Sequence, residues 1–377
     1  MLARLVARDF RNFAHLDITV PDTGFAIIGE NGHGKTNLLE AVAYLSLLRS
    51  LRGARDADVV RFGANVFHIR AELSGTSLFN SVTVGYERQS KKKRASLDGV
   101  DQSRLTSALG ALPSVCFSPA DVALVAGGPG ERRRFLDVVL AISSRNYLQA
   151  LQQYRAALLR RNAALRTAQR DGPRSAHAHD ARVSVWEPAL AEHGGVVVAL
   201  RQAFVRRHSA QFMQIADAIG ERLPVSMRYV AGTSVSDDLA IENADAQSDA
   251  LAAAFAQQRA QELRRGITLV GPHRDELQLL LGGRELRTFG SAGQQRSAAI
   301  ALRLLELATV RDAIGATPLL LLDDPFAELD SGRASRVLSL LERSGVGQVL
   351  LAVPRIEDIP AAFTRLERRV MCDGVLT

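Results

Sequence analysis

The octapeptide Gly29-Glu30-Asn31-Gly32-His33-Gly34-Lys35-Thr36 constrains this chain more than any other segment. It fits the pattern G-x-x-x-x-G-K-[ST], with the apolar run Phe25-Ala-Ile-Ile28 before it and a helical pattern from Lys35 to about Leu48 after it. Strand, loop and helix in that order are what the chemistry of phosphate binding needs. Glycines let backbone N–H groups converge on a phosphate without side chains in the way. Lys35 can reach the β- and γ-phosphates, Thr36 can offer its hydroxyl to Mg²⁺, and the helix N-terminus favours an anion. A chance match is rare here, because only four of the 47 basic residues are lysines, namely Lys35 and the run Lys91-Lys92-Lys93.

Two further segments complete a nucleotide-hydrolysing set. Thr317-Pro-Leu-Leu-Leu-Leu322-Asp323-Asp324 reads as a buried strand ending in two acids. A carboxylate there, Asp323, can hold Mg²⁺, and the next, Asp324, can orient or deprotonate the attacking water. Thr288-Phe-Gly-Ser291-Ala-Gly293-Gln294-Gln295-Arg296 precedes a helix, so Ser291, Gly293, Gln294 and the first amides of that helix form a second candidate anion site. Asp324 and Lys35 are the residues expected to act on the reaction, and Thr36 with Asp323 to hold the metal.

With 377 residues, the chain has room for two or three domains. Its first thirty residues read as strands, and 66–73 with 78–87 as a hairpin or meander, with Ser90–Arg94 and Asp98-Gly99 as turns. Helical patterns cover Glu131–Ile142, Arg145–Arg170 and Val183–Leu223. Strands are expected near Val225–Val230, Thr268–Val270, Leu277–Leu281 and Glu285–Leu286. A helix over 293–313, the strand Leu319–Asp323, a helix over Ser331–Arg343 and a final strand at Gln348–Val353 follow. The expected organisation is an α/β domain in two parts, 1–118 and 266–377, around a mostly helical insertion at 119–265.

Charge points to a polyanion. The net charge is +7, and residues 131–170 alone hold nine arginines against Glu131 and Asp137. The stretch 231–258 holds five acids, Asp237, Asp238, Glu242, Asp245 and Asp249, and no basic residue. Segregation of this kind marks a surface that meets phosphate. Two cysteines, Cys116 and Cys372, make no disulfide framework or metal set. No apolar run is long enough to span a bilayer and no secretion signal is evident, so a cytoplasmic location and no membrane partner are expected.

The phosphate loop, the Ser291 signature and the paired acids, in this order and spacing, resemble an ATP-binding-cassette ATPase of the SMC-like branch. Within that branch the chain is similar to the RecF family of bacterial recombination mediators. The resemblance rests on Phe10-Arg-Asn-Phe13, Gly29–Glu40, Arg49-Ser-Leu-Arg52, Leu112–Asp137, Gln153-Tyr-Arg155, Leu190-Ala-Glu-His-Gly194, Thr268–Leu277, Ser291–Arg296 and Leu320–Asp330. It implies an ABC/SMC-type P-loop ATPase head with mixed sheets and an inserted helical lobe. It also implies ATP with Mg²⁺ as cofactors, an ATP-dependent homodimer, and binding to single-stranded, duplex and junction DNA. RecR, with RecO and RecA downstream, are the partners it implies, in gap repair, replication restart and SOS induction.

Departures from the wider ATPase pattern imply slow, DNA-stimulated hydrolysis used as a timer. Asp324 stands where a glutamate is usual, the signature reads Ser-Ala-Gly-Gln-Gln, and no histidine follows the last expected strand. The glutamine-loop equivalent is placed at Phe117-Ser-Pro-Ala, and His273 and Arg274 are candidates either to report nucleotide to the signature or to hold the fold. Lys91, Lys92, Lys93 and Arg94 in a basic turn, with Arg132, Arg133 and Arg134 in the helical lobe, are the expected DNA contacts. A transporter subunit would need a membrane partner and usually carries the missing histidine. A chromosome clamp would need a far longer coiled coil than 131–224 supplies, and the signature argues against a small-molecule kinase.

Overall fold

The computed structural model describes residues 1–75, 78–171, 176–232, 243–327, 329–345 and 347–377, with backbone only for 176–179. Asp237, Asp238, Glu242 and Glu328 lie outside the described residues. The chain divides into two compact units, one of 1–121, 218–220 and 300–377, the other of 122–217 and 221–299. The first boundary falls three residues from the expected one. Residues 266–299, expected with the ATPase part, go instead with the helical unit. There the strand Glu276–Leu281 pairs antiparallel with Val225–Val230, which anchors the segment among the helices.

The first unit is built on two six-stranded sheets. One is wholly antiparallel and runs in the order Phe13–Thr19, Leu2–Phe10, Val66–Leu73, Ser81–Glu87, Lys92–Leu97 and Val100–Asp101. Strict alternation dictates its sidedness: Leu5 and Ala7 are buried while Arg8 is exposed. Asp98 and Gly99, both at positive φ, close the turn before Val100 as the Asp-Gly pair predicts. The other sheet runs Val375–Leu376, Glu367–Cys372, Gly24–Ile28, Val349–Val353, Leu319–Asp323 and Ser114–Phe117. Its pairings are parallel except the last hairpin. Its middle strands are continuous apolar runs, as a sheet covered on both faces requires.

The helix Lys35–Leu47 is buried along most of its length, from Leu38 to Ser46. Tyr44 meets Phe10 and Phe67 edge-to-face, with ring centroids 5.9 and 5.2 Å apart. Aromatic pairs in this arrangement add about 1 kcal/mol each beyond their buried area. Gln348 ties strand ends together by side-chain bonds: it accepts from the Leu2 amide and donates to the Leu2 and Pro21 carbonyls.

The second unit holds the helices Pro129–Ser143, Arg145–Asp171, Ala176–Ser184 and Ala244–Arg265, most of Glu187–Ile219, and a three-stranded antiparallel sheet. Several expectations change. Ser114–Phe117, Glu367–Cys372 and Val375–Leu376 are strands that the sequence pattern did not reveal, and Lys92–Arg94 lie in a strand rather than a turn. Thr268–Val270 is not a strand. Side chains claim its backbone instead: Asn162 accepts from the Thr268 amide and Glu262 from the Leu269 amide, at 2.8 and 2.6 Å.

Candidate nucleotide site

Gly24–Ile28 delivers the phosphate loop at the carboxyl end of the parallel sheet, and the helix Lys35–Leu47 starts where it ends. Gly34 has φ +110°, a conformation that demands glycine, and an added Cβ would displace the Asn12 side-chain amide, 2.5 Å away. At Gly29 the Cβ would stand 2.4 Å from the Met371 carbonyl oxygen. Lys35 is buried, and its ammonium donates to the carbonyls of Gly29 and Glu30, the latter at 2.9 Å. Burial lowers its pKa, while the charges of Asp323 and Asp324 push the other way.

Neighbouring strands bring the acids to the loop. Thr36 Oγ1 donates to Asp323 Oδ1 at 3.0 Å, joining the first turn of the helix to the end of Leu319–Asp323. Burial raises the Asp323 pKa, and the Thr36 hydrogen bond works against that rise. Asp324 adopts φ +45°, and its amide bonds the Ala352 carbonyl at 2.9 Å. A hydroxyl and a carboxylate side by side form a hard oxygen donor pair suited to Mg²⁺. The order Lys35, Thr36, Asp323 and Asp324 expected from the sequence is therefore assembled in one place.

Supporting residues were not assigned from the sequence, although the segments of Arg11, Asn12, Glu40 and Ser50 were noted; the C-terminal hairpin was not. The Asn12 amide donates to the His33 carbonyl at 3.3 Å, and Asn37 donates to the Asn12 side chain at 2.7 Å. Arg11 clamps Glu40, wholly buried on the helix behind the loop, at 2.8 and 3.0 Å, and Ser50 donates to the same carboxylate. The C-terminal hairpin props the other side: the Asp373 amide donates to His33 Nδ1 and the Gly374 amide to the His33 carbonyl, both at 2.9 Å. His33, Cys372 and Asp373 place ligand-type atoms within 4.8 Å of one another, but the Asp373 amide already occupies the Nδ1 lone pair. Glu30, Asn31 and Gly32 complete the loop, and Gly32 at φ +91° faces open space.

Phe117-Ser-Pro-Ala forms a capped turn after its strand, in which Asp121 accepts from the Ser118 amide and is itself held by Arg303 at 2.6 Å.

In the other unit, Ser291 begins the helix Ala292–Ile314 with reciprocal capping. Gln294 N–H donates to Ser291 Oγ at 3.3 Å, and the Ser291 amide donates to Gln294 Oε1 at 2.9 Å. Ser291 and Gly293 are exposed in the first turn, and Gln294 is half-buried.

His273 is structural. Its Nε2 donates to the Thr268 carbonyl at 3.2 Å, so Nδ1 accepts from the Tyr154 hydroxyl at 2.6 Å. Burial lowers its pKa to about 4, and the ring stays neutral. Arg274 is exposed and donates to the same carbonyl at 3.3 Å.

The basic residues divide differently from the expectation. Lys93 faces inward: it pairs with Asp56 at 2.7 Å, donates to the Leu48 carbonyl beyond the helix C-terminus, and lies over the Tyr44 ring. A cation is favourable at that helix end. Lys91, Lys92 and Arg94 are exposed. Arg132 is only 3% exposed; it forks onto Glu276 at 2.8 and 3.1 Å and donates to the carbonyls of Leu124, Val125 and Gly127. Arg133 donates to the Asp275 carbonyl, and Arg134 is half-buried. Arg161, with no exposed surface, pairs with Glu187 and Glu262. Arg132 and Arg161 thus serve the interior, while Arg145, Arg155, Arg160, Arg166 and Arg170 are exposed. Arg132→Ala should therefore lower stability by about 3–5 kcal/mol, read as a fall in melting temperature, because it leaves Glu276 and three carbonyls without their donor. The salt dependence of DNA binding should be unchanged; a shallower dependence with unaltered melting would return Arg132 to the DNA surface.

Among the described residues, no helix is long and apolar enough to cross a membrane. Residues 1–359 match the family described as the RecF/RecN/SMC N terminal domain. The chain is 37% identical over 360 residues to the DNA replication and repair protein RecF of Salinibacter ruber, covering 94% of this chain and 85% of that one. It is 36% identical to RecF of Chloroflexus aggregans, covering 97% and 96%. A solved structure described as the recombination mediator protein RecF with ATPrS in the RecFOR pathway superposes with a TM-score of 0.87 at 25% identity, over 100% of this chain and 97% of that one. An Smc head domain from Pyrococcus furiosus shares the fold at a TM-score of 0.52 and 16% identity, over 100% and 95% of the two chains.

Proposed function

The chain belongs to the RecF family of DNA replication and repair proteins, with the ABC/SMC-type ATPase head of that group, and from this premise we propose that it is an ATP-driven DNA clamp of recombinational gap repair. The observation that carries the reading is the junction of Thr36 and Asp323 beside buried Lys35, which puts a cation, a hydroxyl and a carboxylate where a nucleotide's phosphates require them. Bound ATP takes the Lys35 ammonium from the Gly29 and Glu30 carbonyls and the loop amides from Gly29 to Thr36. Thr36 and Asp323 hold Mg²⁺, whose chemistry is to neutralise phosphate charge as the γ-phosphoryl group leaves. Asp324 orients the attacking water. Its short side chain makes hydrolysis slow, so turnover sets how long the bound state lasts.

Ser291, Gly293 and Gln294 complete the site of a second copy rather than their own. ATP therefore drives homodimerisation, and the dimer holds single-stranded, duplex or junction DNA. RecR and RecO meet this state, and RecA is loaded at junctions of single and double strands, which also supports SOS induction. The assembly step is tested by light scattering. The chain should be dimeric with ATP and Mg²⁺ and monomeric without. Ser291→Arg should bind ATP with near-normal affinity yet stay monomeric, because the long cation blocks the facing site. One mass under all conditions would refute the dimer.

A further inference from the structure

The antiparallel sheet of the ATPase unit has an outer face whose charges line up in register. Arg8 pairs with His15 on one side and with His68 on the other. His68 pairs with Gly85, and Gly85 with Arg94. One row across five strands therefore reads His15, Arg8, His68, Gly85, Arg94, with its four side chains exposed. At neutral pH the charge of the row comes from Arg8 and Arg94, since burial and the nearby arginines favour the neutral His68 ring. Of the acids on this face, Asp17 feels the charges of His15 and Arg8 but makes no direct pair with either. Asp17 is held by Arg4 through two contacts at 2.7 and 2.6 Å, and Glu72 stands between Arg4 and Arg70 at 3.6 Å from each. Arg8 and Arg94 make no hydrogen bond or ion pair among the described residues. Burial lowers the His68 pKa, and the neighbouring Arg8 and Arg70 add to the shift.

The row also has the right shape. Strands about 4.8 Å apart give it a length of roughly 19 Å, about half a turn of B-DNA. Gly85, in mid-strand and not at positive φ, puts no side chain of its own at the centre, where the His68 ring comes within 3.7 Å of where a Cβ would sit. Lys92 extends the positive edge on the same strand as Arg94, opposite Glu87. We infer that this sheet face, rather than the Arg132–Arg134 cluster, is the surface on which the ATPase unit receives the phosphate backbone of duplex DNA. The inference rests on the DNA-clamp reading and adds the place of contact.

The test is the salt dependence of binding to a fluorescent duplex with ATP and Mg²⁺ present. Each phosphate contact contributes about 0.9 to the slope of log affinity against log salt. Arg8→Ala with Arg94→Ala should make that slope shallower by about 2 per protomer and weaken binding at least tenfold at moderate salt. Melting temperature and ATP affinity should stay at wild-type values, because both side chains are exposed and unpartnered. Arg8→Lys with Arg94→Lys should restore most of the slope. An unchanged slope in the alanine variant overturns the surface assignment while leaving the clamp reading intact. A wild-type protein with no duplex affinity overturns both. Normal DNA binding together with loss of an acidic protein partner would reassign the face to protein recognition and overturn the inference.

Discussion

Lys35→Met should weaken ATP binding by at least about 100-fold, measured by titration with a fluorescent ATP analogue. Lys35 is the one lysine in the phosphate loop, and it is already buried with its ammonium drawn onto the Gly29 and Glu30 carbonyls. Losing a charge from a desolvated anion site costs about 2–5 kcal/mol, far more than a surface pair. Without nucleotide the variant loses only two bonds to neutral carbonyls, about 1 kcal/mol each. Its melting should therefore fall modestly, whereas the stabilisation that ATP gives the wild type should vanish. Affinity within a few-fold of wild type would place the phosphates elsewhere.

Asp324→Asn should leave ATP affinity and dimer formation intact while slowing hydrolysis by about 100-fold or more, the range expected for removal of a positioned base. The choice of asparagine follows from the backbone: Asp324 sits at φ +45°, a conformation that Asn tolerates as Asp does. The side chain's charge acts on Lys35 and Asp323, so it lies beside the phosphate loop and the candidate metal-ligand carboxylate. DNA release, followed by anisotropy after chasing with competitor, should slow in proportion. Hydrolysis at the wild-type rate would move the base to another residue, with Glu328 next in line.

Much of the nucleotide site was legible because its chemistry is local. Gly29–Thr36 must be contiguous to wrap one phosphate, and Asp323-Asp324 must end a buried strand, so both show in a short window. The props of the loop are not local. Asn12, the Asp373 turn and the Arg11–Glu40–Ser50 cluster reach it from other strands, and no spacing rule joins them. Charge proved least readable, since a count cannot tell which way a side chain points. Lys91–Arg94 looked like one basic turn; as a strand it alternates, sending Lys93 to Asp56 and Arg94 to solvent. Arg132, Arg133 and Arg134 looked like one patch, yet helical geometry turns the first inward onto Glu276. The strand Ser114–Phe117 hid because four buried residues, Ser-Val-Cys-Phe, carry no period of their own.

The strand that carries the phosphate loop has its two ladder neighbours at the far end of the chain: Gly24 pairs beside Val349, and Phe25 beside both Leu350 and Glu367. During synthesis the antiparallel sheet, made from the first hundred residues, has its partners early. Gly24–Ile28 has none until the last segments emerge. Contacts of such long sequence separation close slowly, because the loop entropy must be overcome before any pairing rewards it. The nascent chain thus exposes an apolar strand with unpaired edges throughout translation, an interval in which chaperone protection matters most. A product truncated before Val349–Val353 and Glu367–Cys372 leaves the strand that carries the phosphate loop without its ladder partners, and is expected to lose ATP binding rather than keep part of it.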